Sequence, residues 1–153
     1  MSDILFLFQQ TMFFFIPLLI VALGGLFSER SGIINIALEG MMIIGAFAGI
    51  FFIHFFQEAM DPQICLLIAL LIAGLSGTLF ALFHAIASIN MKADQTISGT
   101  ALNMFAPAFC IFVARLVQQT QQVEFSNTFR ITKVPVLGDI PFIGEFLFQN
   151  TYI

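Results

Sequence analysis

Four long apolar runs, separated by short polar segments, dominate the hydrophobic pattern of this chain. The runs cover residues 4–27, 33–56, 64–89 and 96–117. The first and third contain no Asp, Glu, Lys or Arg. Each run reaches the roughly 20 residues that a helix needs to cross a bilayer. We therefore predict an all-α, polytopic membrane helix bundle with about four transmembrane helices.

The pattern changes after the fourth run. Residues 118–146 mix Gln, Thr and charged residues with prolines and glycines, which is too polar for a span and too apolar for an inert linker. We predict an ordered loop with short helical or turn segments near the membrane interface. Residues 147–153 resemble the start of a fifth span. Residues 1–153 are thus interpreted as one transmembrane region.

Composition supports an integral membrane protein and changes little else. Hydrophobic residues make up 59% of the chain and charged residues 9%, against about 25% charged in ordinary soluble domains. A soluble protein of this length could not bury so much apolar surface. The net charge of -4 does not suggest nucleic-acid binding. Cys65 and Cys110 fall inside apolar runs and are interpreted as small buried hydrophobes.

The few charges outside the runs predict an orientation. If the N-terminus is outside, Arg30 and Lys92 lie in cytoplasmic loops, whereas Glu58 and Asp61 stay outside. The positive-inside rule favours this arrangement. The N-terminal run has no preceding Lys or Arg and no clear cleavage site, so we expect a retained span. Four crossings then make residues 118–146 an extracytoplasmic loop.

Polar residues at the start of the second run are the first candidates for function. Ser31 and Gly32 break the pattern, and Asn35 and Glu39 follow at a spacing that would place them on one helical face. A carboxylate at membrane depth is costly unless it faces protein or a wet cavity. The simpler interpretation is an interhelical hydrogen bond or a carboxylate near the membrane surface. The alternative is that this broken segment lines a transport pathway.

A third candidate lies in the fourth run. Gly99, Asn103 and Pro107 are spaced by four, so one helical face combines a small residue, an amide and a kink. An Asn in mid-span more often joins helices than binds a substrate. The pathway candidates are accordingly Asn35, Glu39 and Asn103.

Small residues at four-residue spacing predict helix packing. Gly45 and Gly49 form a G-x-x-x-G pair, which lets another backbone approach closely. The third run carries a longer stripe of the same kind: Ala73, Gly77, Ala81 and Ala85. Ser and Thr residues of that run, together with His84, can hydrogen-bond across helices or to their own carbonyls.

Motifs of catalysis and metal binding do not occur in the sequence. There is no G-x-x-x-x-G-K-[ST], no H-E-x-x-H, no G-x-S-x-G and no Cys/His cluster with ligand spacing. His54 and His84 lie at the ends of different runs. We predict no enzyme, no metal and no cofactor. A permease for small polar solutes, a structural or assembly membrane protein, and an ion channel through Glu39 remain open.

Two stretches narrow this choice by resemblance. GGLFSERSGIINIALEGMMIIGAFAG (residues 24–49) and KADQTISGTALNMFAPAF (residues 92–109) resemble signatures of the permease subunits of bacterial ABC importers for nucleosides and simple sugars. Ribose and branched-chain amino-acid permeases are more distant relatives. The family's members are considerably longer, so the chain looks like an N-terminal portion.

The resemblance implies a function and partners. It implies a multi-pass permease of the bacterial cytoplasmic membrane that imports nucleosides or simple sugars, with ATP hydrolysed by cytoplasmic ATPase subunits. A second permease subunit and an extracytoplasmic solute-binding protein complete the expected partners, beside membrane lipid. A branched-chain amino-acid permease, or a structural protein without transport, is the alternative. Residues 118–146 would either meet the binding protein or pack on the bundle and the lipid interface.

Overall fold

The structure is a computed structural model that describes residues 2–124, 130–133 and 149–152. It consists almost entirely of helix. In chain order the elements are α1 (Ser2–Arg30), α2 (Leu38–Phe56), α3 (Pro62–Ala85), a π-helical turn (Ile86–Asn90), α4 (Gln95–Gln118), β1 (Arg130–Lys133) and β2 (Gln149–Tyr152).

Four of these helical stretches are long and apolar enough to cross a membrane: Gln10–Arg30, Leu38–Phe56, Pro62–Asn90 and Gln95–Gln118. This confirms the predicted all-α polytopic bundle. Pro17 and Pro107 lie inside α1 and α4, neither of which they terminate. Both cysteines are free and buried, as expected.

The helix ends follow local capping rules. The Asp61 side chain accepts from the Gln63 N–H at the start of α3, where Pro62 needs no N–H partner. Asp94 caps α4 in the same way. At the end of α1, Gly32 adopts φ +87, and the N–H groups of Gly32 and Ile33 donate to the carbonyls of Glu29 and Ser28. This is a Schellman motif, which Gly favours because it lacks Cβ.

One predicted boundary is wrong. The second run was expected to be helical from Ile33, but α2 begins at Leu38. The Schellman motif ends α1 and sends the chain away from a helical path, and the Asn35 side chain then accepts from the Ala37 N–H. Such a local bond competes with helix formation.

The chain separates into two compact units. One comprises Met1–Gly24 and Thr128–Ile153, and the other comprises Gly25–Asn127. In the first unit β1 and β2 pair antiparallel, with Arg130 opposite Tyr152. Where a helical or turn segment and the start of a fifth span were expected, these eight described residues are therefore extended. Thr, Ile and Tyr in the two segments favour strands. The rest of both predicted segments beyond residue 124 lies outside the described residues.

In the second unit α2 packs against both α3 and α4, which touch each other far less. Small residues allow the α2–α3 contact, as the sequence predicts. A Cβ added to Gly45 would lie 2.9 Å from the Ala73 carbonyl oxygen, and one on Gly49 would lie 3.1 Å from that of Ala69. Two helices thus meet backbone to backbone, and this contact fixes α2 relative to α3.

Candidate functional site at the start of helix α2

Residues 32–37, the α1–α2 junction, connect two spans without helical structure. Their backbone N–H and C=O groups therefore lack the partners that a helix supplies. Inside a folded protein such groups need protein or water as partners. Side chains from α1, α3 and α4 provide several of them.

The two backbone groups of Ile34 bind two different helices. Its N–H donates to Gln95 Oε1 at 2.7 Å, and its carbonyl lies 3.3 Å from His84 Nε2. Gln95 is the first residue of α4, and His84 lies one residue before the end of α3. Ile34 therefore connects the ends of α3 and α4.

The other ring nitrogen of His84, Nδ1, fixes the orientation in which Nε2 reaches the Ile34 carbonyl. The side chain is 2% exposed, and Nδ1 lies 3.2 Å from Ser98 Oγ. Because a carbonyl only accepts, the bond to Ile34 assigns a hydrogen to Nε2, which also lies 3.5 Å from Ser88 Oγ. Nδ1 pairs with the Ser98 hydroxyl. The Ser88 hydroxyl donates to the backbone carbonyl of His84 at 2.7 Å. The buried imidazole is thus oriented by α4 and aimed at the junction.

Asn103 caps α2 from a neighbouring helix. Ala37, at the N-cap position, has no side chain that could accept from the first turn. Asn103 Oδ1 accepts from the Gly40 N–H at 2.7 Å, and Asn103 Nδ2 donates to the Ile36 carbonyl at 2.8 Å. One turn earlier on α4, Gly99 lets the junction approach, because a Cβ there would lie 2.8 Å from Ile36 Cβ.

The sequence candidates occupy different positions. Asn35 is outside the helix, so the expected shared helical face with Glu39 does not form; its amide accepts from the Ala37 N–H at 3.0 Å and donates to Met41 Sδ at 3.4 Å. Glu39 lies exposed in the first turn of α2, where a carboxylate interacts favourably with the helix dipole. Asn103 joins helices, as its position in mid-span predicts. The structure gathers both asparagines around the junction and leaves Glu39 on its surface.

His84, Gln95 and Ser98 were not named as site residues from the sequence. His84 was expected to be able to hydrogen-bond across helices, and it does. Gln95 was assigned to the polar segment before the fourth run. The available signal was the second sequence stretch, residues 92–109, which contains Gln95, Ser98, Gly99 and Asn103 together. All four contact the junction or His84. The two stretches that carry the resemblance are therefore the two sides of one structural site.

A groove elsewhere in the second unit lacks this polar character. It encloses about 470 Å³ and is lined by Phe residues of α2, with Ile72, Ser76 and Phe109. The polar side chain in this lining is that of Ser76, and its hydroxyl already donates to the Ala73 carbonyl. In the described part of the chain, no three His, Cys, Asp or Glu side chains come together as metal ligands would. The junction is the better candidate for contact with a polar solute.

Fold and site together define a polytopic membrane protein. Its second span is preceded by a non-helical segment whose backbone is hydrogen-bonded by side chains of other helices. The chain belongs to the family described as the permease component of branched-chain amino acid transport systems, which it matches over residues 7–145. This confirms the predicted resemblance and a multi-pass location in the cytoplasmic membrane. No solved structure matches the chain.

Curated relatives are named as permeases. The chain is 45% identical over 143 residues to a guanosine ABC transporter permease protein of Bacillus subtilis, covering 93% of this chain and 44% of the relative. It is 38% identical to a nucleoside ABC transporter permease protein of Lactococcus lactis, covering 88% and 42%. A putative glucose ABC transporter permease protein of Haloferax volcanii is 32% identical, covering 88% and 39%. The chain thus spans less than half the length of each of these relatives.

Proposed function

We propose that this chain forms part of the permease subunit of an ABC importer that carries nucleosides across the cytoplasmic membrane. The observation that supports this most directly is the 45% and 38% identity to two permeases named for guanosine and nucleosides, each over most of this chain. Simple sugars are the second substrate class, favoured by the relative named for glucose.

The proposed partners supply energy and solute. Cytoplasmic ATPase subunits hydrolyse ATP, as the relatives named as ABC transporter permeases suggest. A second permease subunit completes the transmembrane part, and an extracytoplasmic solute-binding protein delivers the nucleoside. The permease itself is not an enzyme in this scheme.

We propose further that residues 118–146 face outside and meet the binding protein. The support is the N-out orientation expected from Arg30 and Lys92. His54 Nδ1, 2.6 Å from the Glu124 carbonyl, attaches the described start of this loop to the C-terminal end of α2, which is the outer end in that orientation. Photoreactive residues at 126, 130 and 133 should crosslink to the binding protein in intact cells. Crosslinks found only from the cytoplasmic side of the membrane would contradict the orientation.

Asn35, Glu39 and Asn103 are proposed to belong to the solute pathway in different ways. Both Asn103 amide groups bind backbone groups, and Asn35 binds the Ala37 N–H and Met41 Sδ, so the part of the two asparagines is to shape the pathway wall. Glu39 is exposed and free to line it. In the whole transporter, Glu39→Gln should retain uptake because it keeps a polar group of the same size, whereas Glu39→Leu should lose most of it. Equal, wild-type uptake by both variants would remove Glu39 from the pathway.

Uptake of radiolabelled guanosine by cells that express the complete transporter tests the proposed function. We expect saturable uptake that requires the ATPase and is suppressed by unlabelled nucleosides. Radiolabelled leucine and glucose, offered to the same cells in separate assays, test the other substrate classes. ATPase-dependent uptake of leucine alone would favour the branched-chain amino-acid alternative, which the family description supports. Uptake of none of the three would favour a structural role.

A further inference from the structure

The α1–α2 junction is bound to three helices by successive backbone groups. The Ile33 carbonyl accepts from Ser28 Oγ of α1 at 2.7 Å. The Ile34 N–H is held by α4 and the Ile34 carbonyl by α3, through Gln95 and His84. The Ile33 carbonyl is thus bound to α1, whereas the backbone groups of the next residue, Ile34, are bound to α3 and α4.

We propose that His84 and Gln95 are positioning residues that hold Ile34 and thereby set the start of α2, where Glu39 stands. The transport part of this inference rests on the proposed function; the structural part does not. Neither residue is placed in contact with solute. Their effect passes through the Ile34 backbone.

Side-chain burial does not explain why Ile34 stays in place. Its side chain is 53% exposed, so packing supplies little of the restraint. Its backbone lies in no helix or strand, so no ladder of hydrogen bonds holds it either. The Gln95 and His84 bonds are therefore the restraints that remain at this position.

The same arrangement makes Ile34 sensitive to movement of α3 against α4. These two helices pack mainly on α2 and touch each other little. The His84–Ser98 bond and the stacked rings of Phe80 and Phe105 join the two helices directly, and Ile34 connects their ends. A shift that separates these ends strains the bond to Gln95 or the bond to His84. Because α2 begins four residues after Ile34, the shift changes where the first turn of α2 lies.

Asn103 provides an internal reference, because it acts on a different part of the same backbone. It holds the Ile36 carbonyl and the Gly40 N–H, and not Ile34. Loss of Gln95 should therefore release the Ile34 amide while the Gly40 amide stays protected. A general loss of packing would release both.

Residue-resolved amide hydrogen exchange on the complete transporter in lipid nanodiscs measures this directly. Gln95→Met keeps the length of the side chain but replaces the amide oxygen by a thioether sulfur, which accepts only weakly. It should speed exchange at Ile34 at least tenfold and leave Gly40 unchanged. Gln95→Glu restores an acceptor and should restore slow exchange. Thr100→Val is the matched control on α4, since the Thr100 hydroxyl donates only to the Thr96 carbonyl of its own helix. Unchanged exchange at Ile34 in Gln95→Met would overturn the proposal.

Uptake kinetics, per amount of assembled complex, test positioning against a purely structural role. Gln95→Met and His84→Phe should each raise the KM for guanosine several-fold, and His84→Gln, which retains a donor, should restore it. Because both residues act on Ile34, the double variant should raise KM little more than either single variant. Faster exchange at Ile34 with unchanged KM and kcat would overturn the positioning role. If wild-type complex takes up no nucleoside, the proposed function fails, while the exchange experiment still decides whether these residues hold Ile34.

Discussion

At the α2–α3 interface, two backbones approach because side chains are missing, whereas at the α1–α2 junction a backbone is held because side chains reach it. Both regions lie in the same compact unit. At the interface, Gly45 and Gly49 face the carbonyls of Ala73 and Ala69. At the junction, the partners are the imidazole of His84 and the amides of Gln95 and Asn103.

The difference follows from how each backbone satisfies its hydrogen bonds. In α2 and α3 the N–H and C=O groups are already paired within each helix, so the contact needs only shape, and small residues provide it. Between Gly32 and Ala37 the helical pairing is absent. Polar groups in that segment need partners from elsewhere. One region therefore depends on volume and the other on specific donors and acceptors.

The largest effect is expected from adding volume at the α2–α3 interface. Gly45→Val should destabilise the protein by about 2–3 kcal/mol, since its side chain meets a backbone carbonyl that cannot move aside. Gly74→Val is the control, because a Cβ at Gly74 meets nothing within 4 Å. Chemical unfolding of the purified protein in mixed micelles measures both. Equal stability of the two variants would show that α2 and α3 do not approach as described.

A smaller effect is expected from removing a partner at the junction. Asn103→Leu leaves the Gly40 N–H without its acceptor, which costs about 1–2 kcal/mol. Asn103→Asp keeps the acceptor for the Gly40 N–H but loses the donor to the exposed Ile36 carbonyl. Water can take the place of that donor, so this variant should lose less stability than Asn103→Leu. The same unfolding measurement ranks them. Should Asn103→Asp prove as harmful as Asn103→Leu, the donor rather than the cap would be the important group.

Gly32, at the junction, is a glycine for a different reason from Gly45 and Gly49 at the interface: its backbone conformation, and not a close neighbour, disfavours a side chain. Its φ is +87 and a Cβ would meet nothing within 4 Å, so substitution strains the backbone without any collision. Gly32→Ala should cost about 1 kcal/mol, and Gly32→Asn less, since Asn tolerates this conformation. If both variants unfold like wild type, the Schellman motif does not contribute to stability.

The smallest effects are expected at the helix caps, which are local. Asp94 accepts from two N–H groups, those of Thr96 and Ile97, whereas Asp61 accepts from Gln63 alone. Asp94→Ala should therefore cost about 1 kcal/mol and Asp61→Ala roughly half of that. Thermal unfolding at matched pH compares them. A larger loss from Asp61→Ala would reverse the expected order.

Much of the fold could be predicted because its causes are local. Apolar run length gave the four spans, and the spacing of Gly45 and Gly49 gave a close helix contact. The same reasoning was wrong at Asn35. Its four-residue distance from Glu39 suggests a helical face, but the turn at Gly32 and the Asn35–Ala37 bond keep the segment out of α2. Periodicity assumes a helix and cannot detect where one has not begun.

The sequence by itself determined that this chain crosses the membrane in about four helices and belongs with ABC permeases, because hydropathy and motif order can be read along the chain. Only the tertiary structure decided which residues of the two sequence stretches contact each other. Ile34 finds its partners 50 and 61 positions away, and Ile36 finds Asn103 at 67. Such pairings depend on how α3 and α4 are placed around α2. Because a backbone group without a hydrogen-bond partner is costly once it is buried, that placement determined which polar side chains hold the junction.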